Sequence, residues 1–538
     1  MIRYNSTEQL SIEEFRTPFE IKLDKNNRWV KLAHLLPWDK LAAVYYSSMC
    51  SATGAPAIDA RIVIGALIIK HKLKLDDRES IEYIRENPYV QYFLGLSDYS
   101  YEDVFDRSLF THLRYRIGEQ AFDDFNCIII HQAEAMEQPG KQHHQDKKTK
   151  KSESSQPVKQ SNESENVSTE EASKEVEPEV PQALEVEQPL AITHRGKLLL
   201  DATVADQMIA YPTDLGLLNT AREESERIID ELHTISSGSK KPRTYRKQAR
   251  KQYLQIAQKK NKTKREIRKG IGQQLRYLKR NLKSIHGQLD EAKMLGITSW
   301  QLSHRDQKIF FVIQHIYAQQ STMYESRTHS IENRIVNVYQ PHVRPIVRGK
   351  AKAKVEFGAK LGVSLQNGFA RINTFSWEAY NETTDLKKQV AAYYQQNGFY
   401  PEAVLADRIY GTRDNRAFLK KLGIRFVGKA LGRPPKEQLS YKEKRKQQKE
   451  LNERNHIEGK FGQGKNGYNL NKIRARQQKT SESWVSCIFF VMNIVALVKL
   501  LGKNGMGFLF ACLVAPLLPI ISVFCSVIFA KKLILRPK

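Results

Sequence analysis

The sequence predicts an α/β core interrupted by a basic helical block, preceded by an all-α N-terminal domain and a disordered linker. Three observations predict this. Apolar residues recur at helical spacing up to about residue 135, a stretch almost without large apolar residues follows, and short apolar or alternating runs then return as far as residue 428. At 538 residues the chain is too long for one ordinary domain, and 41% hydrophobic residues are enough to build real cores.

The helical domain is placed at residues 35–135. Residues 59–73 and 78–85 carry Ile, Leu, Val and Tyr at helical spacing, and Asn87-Pro88 ends the second run. A third helix, near residues 107–117, sets Arg107, Arg114 and Arg116 among Leu109, Phe110, Leu113 and Tyr115. Such a basic amphipathic helix suits a DNA groove, or else is an exposed charged face on a packing helix. Residues 136–193 are read as a linker, because Ser, Glu, Lys and Gln cannot bury enough surface to offset the entropy of ordering them.

The core is placed at residues 194–500. Lys197-Leu198-Leu199-Leu200-Asp201 reads as a buried strand ending at an acid, and a helical insertion follows at about residues 214–330. Residues 240–283 hold 18 Lys and Arg against one acid, Glu266. Most of the chain's net charge of +27 is therefore local, which favours a dedicated polyanion-binding face. Ile271, Leu275, Leu278, Leu282, Ile285 and Leu289 repeat every three or four residues, forming the apolar seam of a helical hairpin or a dimer contact. The residues expected to meet DNA from this face are Arg246, Arg250, Arg268, Lys269, Arg276, Lys279 and Arg280.

Strands are expected at residues 334–339, 355–365 and 369–375, then a helix at 385–395. A short strand at 402–407, a helix at 413–422, a strand at 424–428 and a helix carrying Glu458 complete the order. Three strands, helix, strand, helix, strand, helix is the order of a ribonuclease-H-like core. An apolar run from Trp484 to Leu501 reads as a core helix.

The five cysteines are scattered with no C-x-x-C pair, which fits reduced thiols, and residues 1–22 lack an apolar signal-peptide core. Residues 504–530 are uncharged and long enough to span a bilayer, but Pro516 and Pro519 interrupt them. A buried or frayed tail is preferred over membrane contact.

Asp201 and Asp407 are each read as standing at the C-terminal end of an apolar strand, where a rigid scaffold fixes a carboxylate beside a crevice. Taken singly, such acids are more often turn or helix-cap residues. Phosphodiester chemistry needs an aligned nucleophile and cations that neutralise the entering and leaving oxygens, and carboxylates are the ligands Mg²⁺ prefers. Glu458 is expected to face the two aspartates, with Arg454 one helical turn before it. Glu356 is a further strand acid in the same domain, and His456 is read as structural or DNA-contacting.

Arg454, three residues, Glu458, six residues, Lys465 resembles the C-terminal signature of insertion-sequence DDE transposases of families four and five. That signature begins with Tyr, and Leu451 stands there in this chain. Leu200-Asp201-Ala202-Thr203 is similar to the family's first-acid strand. Leu405-Ala406-Asp407-Arg408-Ile409-Tyr410-Gly411, trailed by Asn415 and Arg416, is similar to its second-acid motif. The resemblance covers residues 35–135 and 197–500.

It implies a transposase whose Asp201, Asp407 and Glu458 bind Mg²⁺ or Mn²⁺, as two ions, for hydrolysis at terminal inverted repeats and transfer of the 3′-hydroxyl end to target DNA. Arg454 and Lys465 would contact the transposon end. Double-stranded DNA, a homo-oligomer during transposition and a cytoplasmic, nucleoid-associated location are implied as well. The alternatives are an inactive DNA-binding derivative of a transposase and a metal-dependent nuclease on the same fold.

Overall fold

The computed structural model describes residues 15, 22–47, 49, 57–137, 193–235, 240–294, 302–347, 355–428 and 440–514. Within the N-terminal region the chain forms α1 (Arg28–Leu35), α2 (Trp38–Ser47), α3 (Ala60–Leu73), α4 (Asp77–Glu86), α5 (Pro88–Leu94), α6 (Leu109–Arg116) and α7 (Glu119–Glu137). Local chemistry sets these boundaries. Asp59 caps α3, and Asp76 with Glu79 forms a capping box on α4. Asn87 ends α4 and caps α5, whose first residue is Pro88. The helical region thus starts before residue 35, and α7 carries it two residues into the segment read as linker. Residues 138–192 of that segment lie outside the described residues.

The strands are β1 (Lys197–Asp206), β2 (Arg344–Val347), β3 (Val355–Gln366), β4 (Phe369–Ser376), β5 (Ala403–Ala406) and β6 (Arg425–Val427). They form one mixed sheet in the order β2-β3-β1-β5-β6, with β4 also pairing β3. Strands β2, β3, β4 and β1 pair antiparallel, whereas β5 runs parallel to both β1 and β6. Asn367 and Gly368, both at positive φ, make the tight β3–β4 turn. Gly358 lets β1 and β3 close up, because a Cβ there would stand 1.9 Å from the Ala205 carbonyl oxygen.

Two sequence expectations about strands need correction. Residues 334–339 form no strand, and β2 comes later instead. Their apolar side chains Ile335 and Val338 pack into the core of the helical insertion, so their pattern reflects that contact. Strand β1 does not stop at Asp201 but continues to Asp206, because β3 pairs with it along that length.

The insertion consists of α8 (Asp214–Ile235), α9 (Arg246–Ala257), α10 (Lys264–Met294) and α11 (His304–Glu325). The seam on α10 packs within the insertion against Leu218, Ile228 and Ile229 of α8 and Phe310 and Ile313 of α11. Of the two readings of that seam, the intramolecular one describes this chain. Helices α12 (Asp385–Asn397) and α13 (Arg413–Lys421) cover one sheet face, while α14 (Tyr441–Gly467) and α15 (Gln478–Val514) complete the other.

Helix α15 also inserts into the N-terminal helices. Phe490 meets Phe125 and Phe122 at ring distances of 5.3 and 6.1 Å, and Asn493 donates to Asn126 at 2.9 Å. Asp123 accepts from Arg371 of β4 at 2.7 Å. The N-terminal region and the sheet therefore share one apolar core. Arg114 of the helix read as groove-docking is buried in this joint, paired with Asp77 and lying over the Trp484 ring. Its charge serves packing.

The window Gln478–Leu500 is long and apolar enough to cross a membrane by length and composition, yet 72% of it is buried here against the rest of the protein. Of the tail at residues 504–530, the part to residue 514 continues α15, and the remainder lies outside the described residues.

Candidate active site

Parallel pairing between β1 and β5 runs from Lys197 opposite Ala403 to Leu200 opposite Ala406. The next register position on each strand is an acid, Asp201 and Asp407. At that level β5 ends while β1 continues, paired on its other edge with Val363 of β3. Asp201 is therefore held in mid-strand rather than at a strand end.

Period-two alternation fixes the face. Leu199 and Leu405 belong to the core beneath α14 and α15, whereas Leu200 and Ala406 belong to the core beneath α12 and α13. Asp201 shares the face of Leu199, which α14 covers. Helix α14 follows β1 in the same direction. Lys197 pairs with Glu453 near one end at 2.5 Å, and Lys465 approaches Asp206 at 3.5 Å near the other. Glu458 falls between these two pins, alongside Asp201, and accepts a hydrogen bond from Arg454 at 3.0 Å.

Electrostatics agree with this placement. Burial pushes the Asp201 carboxyl up to about 6, with Glu382 and Glu458 adding repulsion. The Ala202 amide and Arg454 act the other way. Asp407 is exposed, and one of its oxygens caps the single turn Arg408–Tyr410. That cap is the role such an acid ordinarily takes.

Glu382 was not singled out from the sequence. It lies on a one-turn helix, Glu382–Thr384, and pairs with Lys360 at 2.9 Å. Asn-Glu-Thr-Thr reads as an ordinary turn, so only tertiary structure reveals its proximity to Asp201. Asn415 ties the pieces together by donating to the Thr383 carbonyl at 2.8 Å and the Tyr410 carbonyl at 2.9 Å. The turn after Asp407 and the turn bearing Glu382 are thus laced to one side chain. Tyr410 is fully buried, its hydroxyl makes no hydrogen bond among the described residues, and its pKa is raised, first by burial and then by the charges of Glu382 and Asp201.

Several other expectations are placed differently. Glu356 sits toward the Asp206 end of β1, where it pairs with Lys465 at 3.4 Å. Lys465 is therefore engaged between two acids. His456 lines a cavity of about 700 Å³ with Lys197, Glu453 and Lys460, on the stretch of α14 before Glu458.

Within the insertion, Arg246 is paired with Asp230 at 2.8 Å and Arg268 lies 4.1 Å from the Tyr324 ring centre. Arg280 and Arg243 flank Tyr245 at 4.5 and 4.6 Å. Arg250, Lys269, Arg276 and Lys279 are exposed.

Donor chemistry and surplus negative charge at Asp201 fit a divalent cation. Among the described residues, no three His, Cys, Asp or Glu side chains are gathered closely enough to hold one as they stand.

Two family models match the chain. One, described as a transposase domain (DUF772), matches residues 17–116, and the other, a transposase DDE domain, matches residues 404–496. The second includes Asp407 and Glu458, while Asp201 lies ahead of it. An uncharacterised protein from Rhizobium meliloti, ORF8 in the nfe locus, is 31% identical over 110 residues, covering 20% of this chain and 53% of that protein. The chain thus spans about half the length of the curated relative it matches. No solved structure matches. A DDE domain implies a ribonuclease-H-like core, in keeping with the strand order above. An N-terminal transposase domain and a C-terminal DDE transposase domain are thus both matched in the same chain, which supports an insertion-sequence DDE transposase.

Proposed function

We propose that this chain binds the ends of a mobile DNA element, cuts them by metal-dependent hydrolysis and joins the freed 3′-hydroxyl to target DNA. One observation carries the reading: Asp201 and Asp407 each directly follow the last paired position of two adjacent parallel strands, Leu200 opposite Ala406, and the charge of Glu458 on α14 reaches the Asp201 carboxyl. Mg²⁺ or Mn²⁺, held as two ions by these carboxylates, would neutralise the entering and leaving oxygens of the phosphodiester.

The chain's own residues supply position. Strand pairing on both sides leading up to Asp201 fixes its backbone, and the Ala202 amide holds one carboxylate oxygen at 2.8 Å. Asn415 braces the turn behind Asp407, and Arg454 orients Glu458. Exposed cations of the insertion, among them Arg250, Lys269, Arg276 and Lys279, offer a face to the DNA backbone. Double-stranded DNA as substrate, assembly into an oligomer on that DNA and action in the cytoplasm belong to this reading.

The test is to incubate the full chain with a short duplex of the element's own end, with Mg²⁺ or with EDTA. Strand cleavage should appear only with the metal. Asp201→Asn, Asp407→Asn and Glu458→Gln should each abolish it while leaving binding of the duplex in place. Cleavage undiminished in these variants would place the chemistry elsewhere.

A further inference from the structure

A second basic site lies away from the charge-rich residues 240–283. A cleft of about 1010 Å³ opens where α11, the residues leading into β2, the α14–α15 connection and α6 meet. Arg305 and Lys308 line it from α11, Arg476 from the connection and Lys479 from α15. All four are exposed, and none makes a hydrogen bond or ion pair with a carboxylate among the described residues.

Their setting makes this arrangement unfavourable for an empty cleft. His304 and Arg305 occupy the first turn of α11, and Gln478 and Lys479 the first turn of α15. Both helix ends carry the positive pole of their dipole, where cations are disfavoured and anions favoured. Within the lining the one acid is Glu482, and it already accepts from Trp377 at 2.8 Å and Gln478 at 3.0 Å. Asp306, beside Arg305, is taken by Arg227. Four like charges around one cavity repel one another unless a polyanion lies between them.

We propose that this cleft grips the phosphate backbone of double-stranded DNA as a second, separate contact from the insertion's basic face. The inference rests on the reading of the chain as a DNA-processing enzyme. Its walls come from the N-terminal region, the insertion and the sheet domain, so DNA seated there touches all three at once. Tyr115 and Tyr339, exposed in the same lining, add aromatic surface beside the cations.

The experiment measures affinity of the full chain for a duplex across a series of salt concentrations. Three variants are compared with the parent: Arg305→Gln with Lys308→Gln, Arg476→Gln with Lys479→Gln, and Lys420→Gln with Lys421→Gln on the exposed face of α13 as a charge-matched control. The slope of log affinity against log salt should fall by about 0.9 for every phosphate that a variant no longer neutralises. Both cleft pairs should flatten the slope and the control pair should not. If the parent binds DNA with a steep slope and both cleft pairs keep it, the cleft proposal fails while the DNA-processing reading stands. If the parent binds no duplex, both fail together.

Discussion

Arg454 donates to Glu458 at 3.0 Å from one turn earlier on α14, which holds that carboxylate in one orientation. Glu458 is half exposed, and such a surface pair contributes little to stability, at most about 1 kcal/mol. Its consequence is positional. Arg454→Gln should therefore leave the thermal midpoint nearly unchanged while lowering metal-dependent cleavage by roughly 10- to 100-fold, the range for groups that orient metal ligands. Paired melting curves and cleavage rates check this; a large stability loss with cleavage unaltered would count against it.

Asn415 bonds two carbonyls, a buried one on the turn behind Asp407 and a part-buried one on the turn bearing Glu382. Asn415→Ala leaves both without a donor. The expected cost is about 1–3 kcal/mol in stability, with a fall in cleavage as the two turns lose their common brace. Denaturant unfolding and single-turnover cleavage measure the two effects, and a neutral variant in both would remove the brace from the account.

The shared core predicts joint unfolding. Phe490 of α15 is buried against Phe122 and Phe125 from α7, so Phe490→Ala should cost about 3–5 kcal/mol and loosen the N-terminal helices with the sheet. Hydrogen exchange followed along α7, β4 and α15 should rise together. Exchange confined to α15 would mean the two regions unfold independently.

Much of the secondary structure was legible in the sequence because its causes are local. The helices α3 and α4 with the Asn87-Pro88 stop, the helix of Arg454 and Glu458, and the strand preceding Asp407 follow from spacing within a few residues. What stayed hidden depends on distant partners. Asn126 meets Asn493 across 367 residues, so a helical N-terminal region that looks self-contained is in fact half of a joint core. Asp201 reads as a strand end because the partner that extends β1, residues 358–365 of β3, comes far later in the chain. Lys465 reads as a cation for the transposon end and Arg114 as one on a groove-docking or simply exposed helix face, and the structure gives each a carboxylate partner.

Acid should destabilise the fold through two histidines. His71 is wholly buried against Trp484 and held well below its usual range, by burial first and then by Lys70 and Arg114. His342 is pushed down to about 4 by burial, with Arg344 adding repulsion. Between pH 6.5 and about 4 the unfolded chain binds protons at these positions that the folded chain does not, so stability rises with pH across that window. Unfolding free energy measured at about pH 7 and about pH 5 should fall on acidification, and less steeply in His342→Gln. An equal slope in parent and variant would remove His342 as a cause.

The central claim is that Asp201, Asp407 and Glu458 form one metal-binding crevice. Localised backbone scission tests it most directly: the full chain is loaded with Fe²⁺ in place of Mg²⁺, ascorbate and peroxide are added, and cut sites are read by mass spectrometry. The account predicts cuts clustered at all three positions, close to residues 201, 407 and 458, and suppressed by excess Mg²⁺. Cuts that cluster instead around Asp206 and Glu356, or that ignore Mg²⁺, would contradict it.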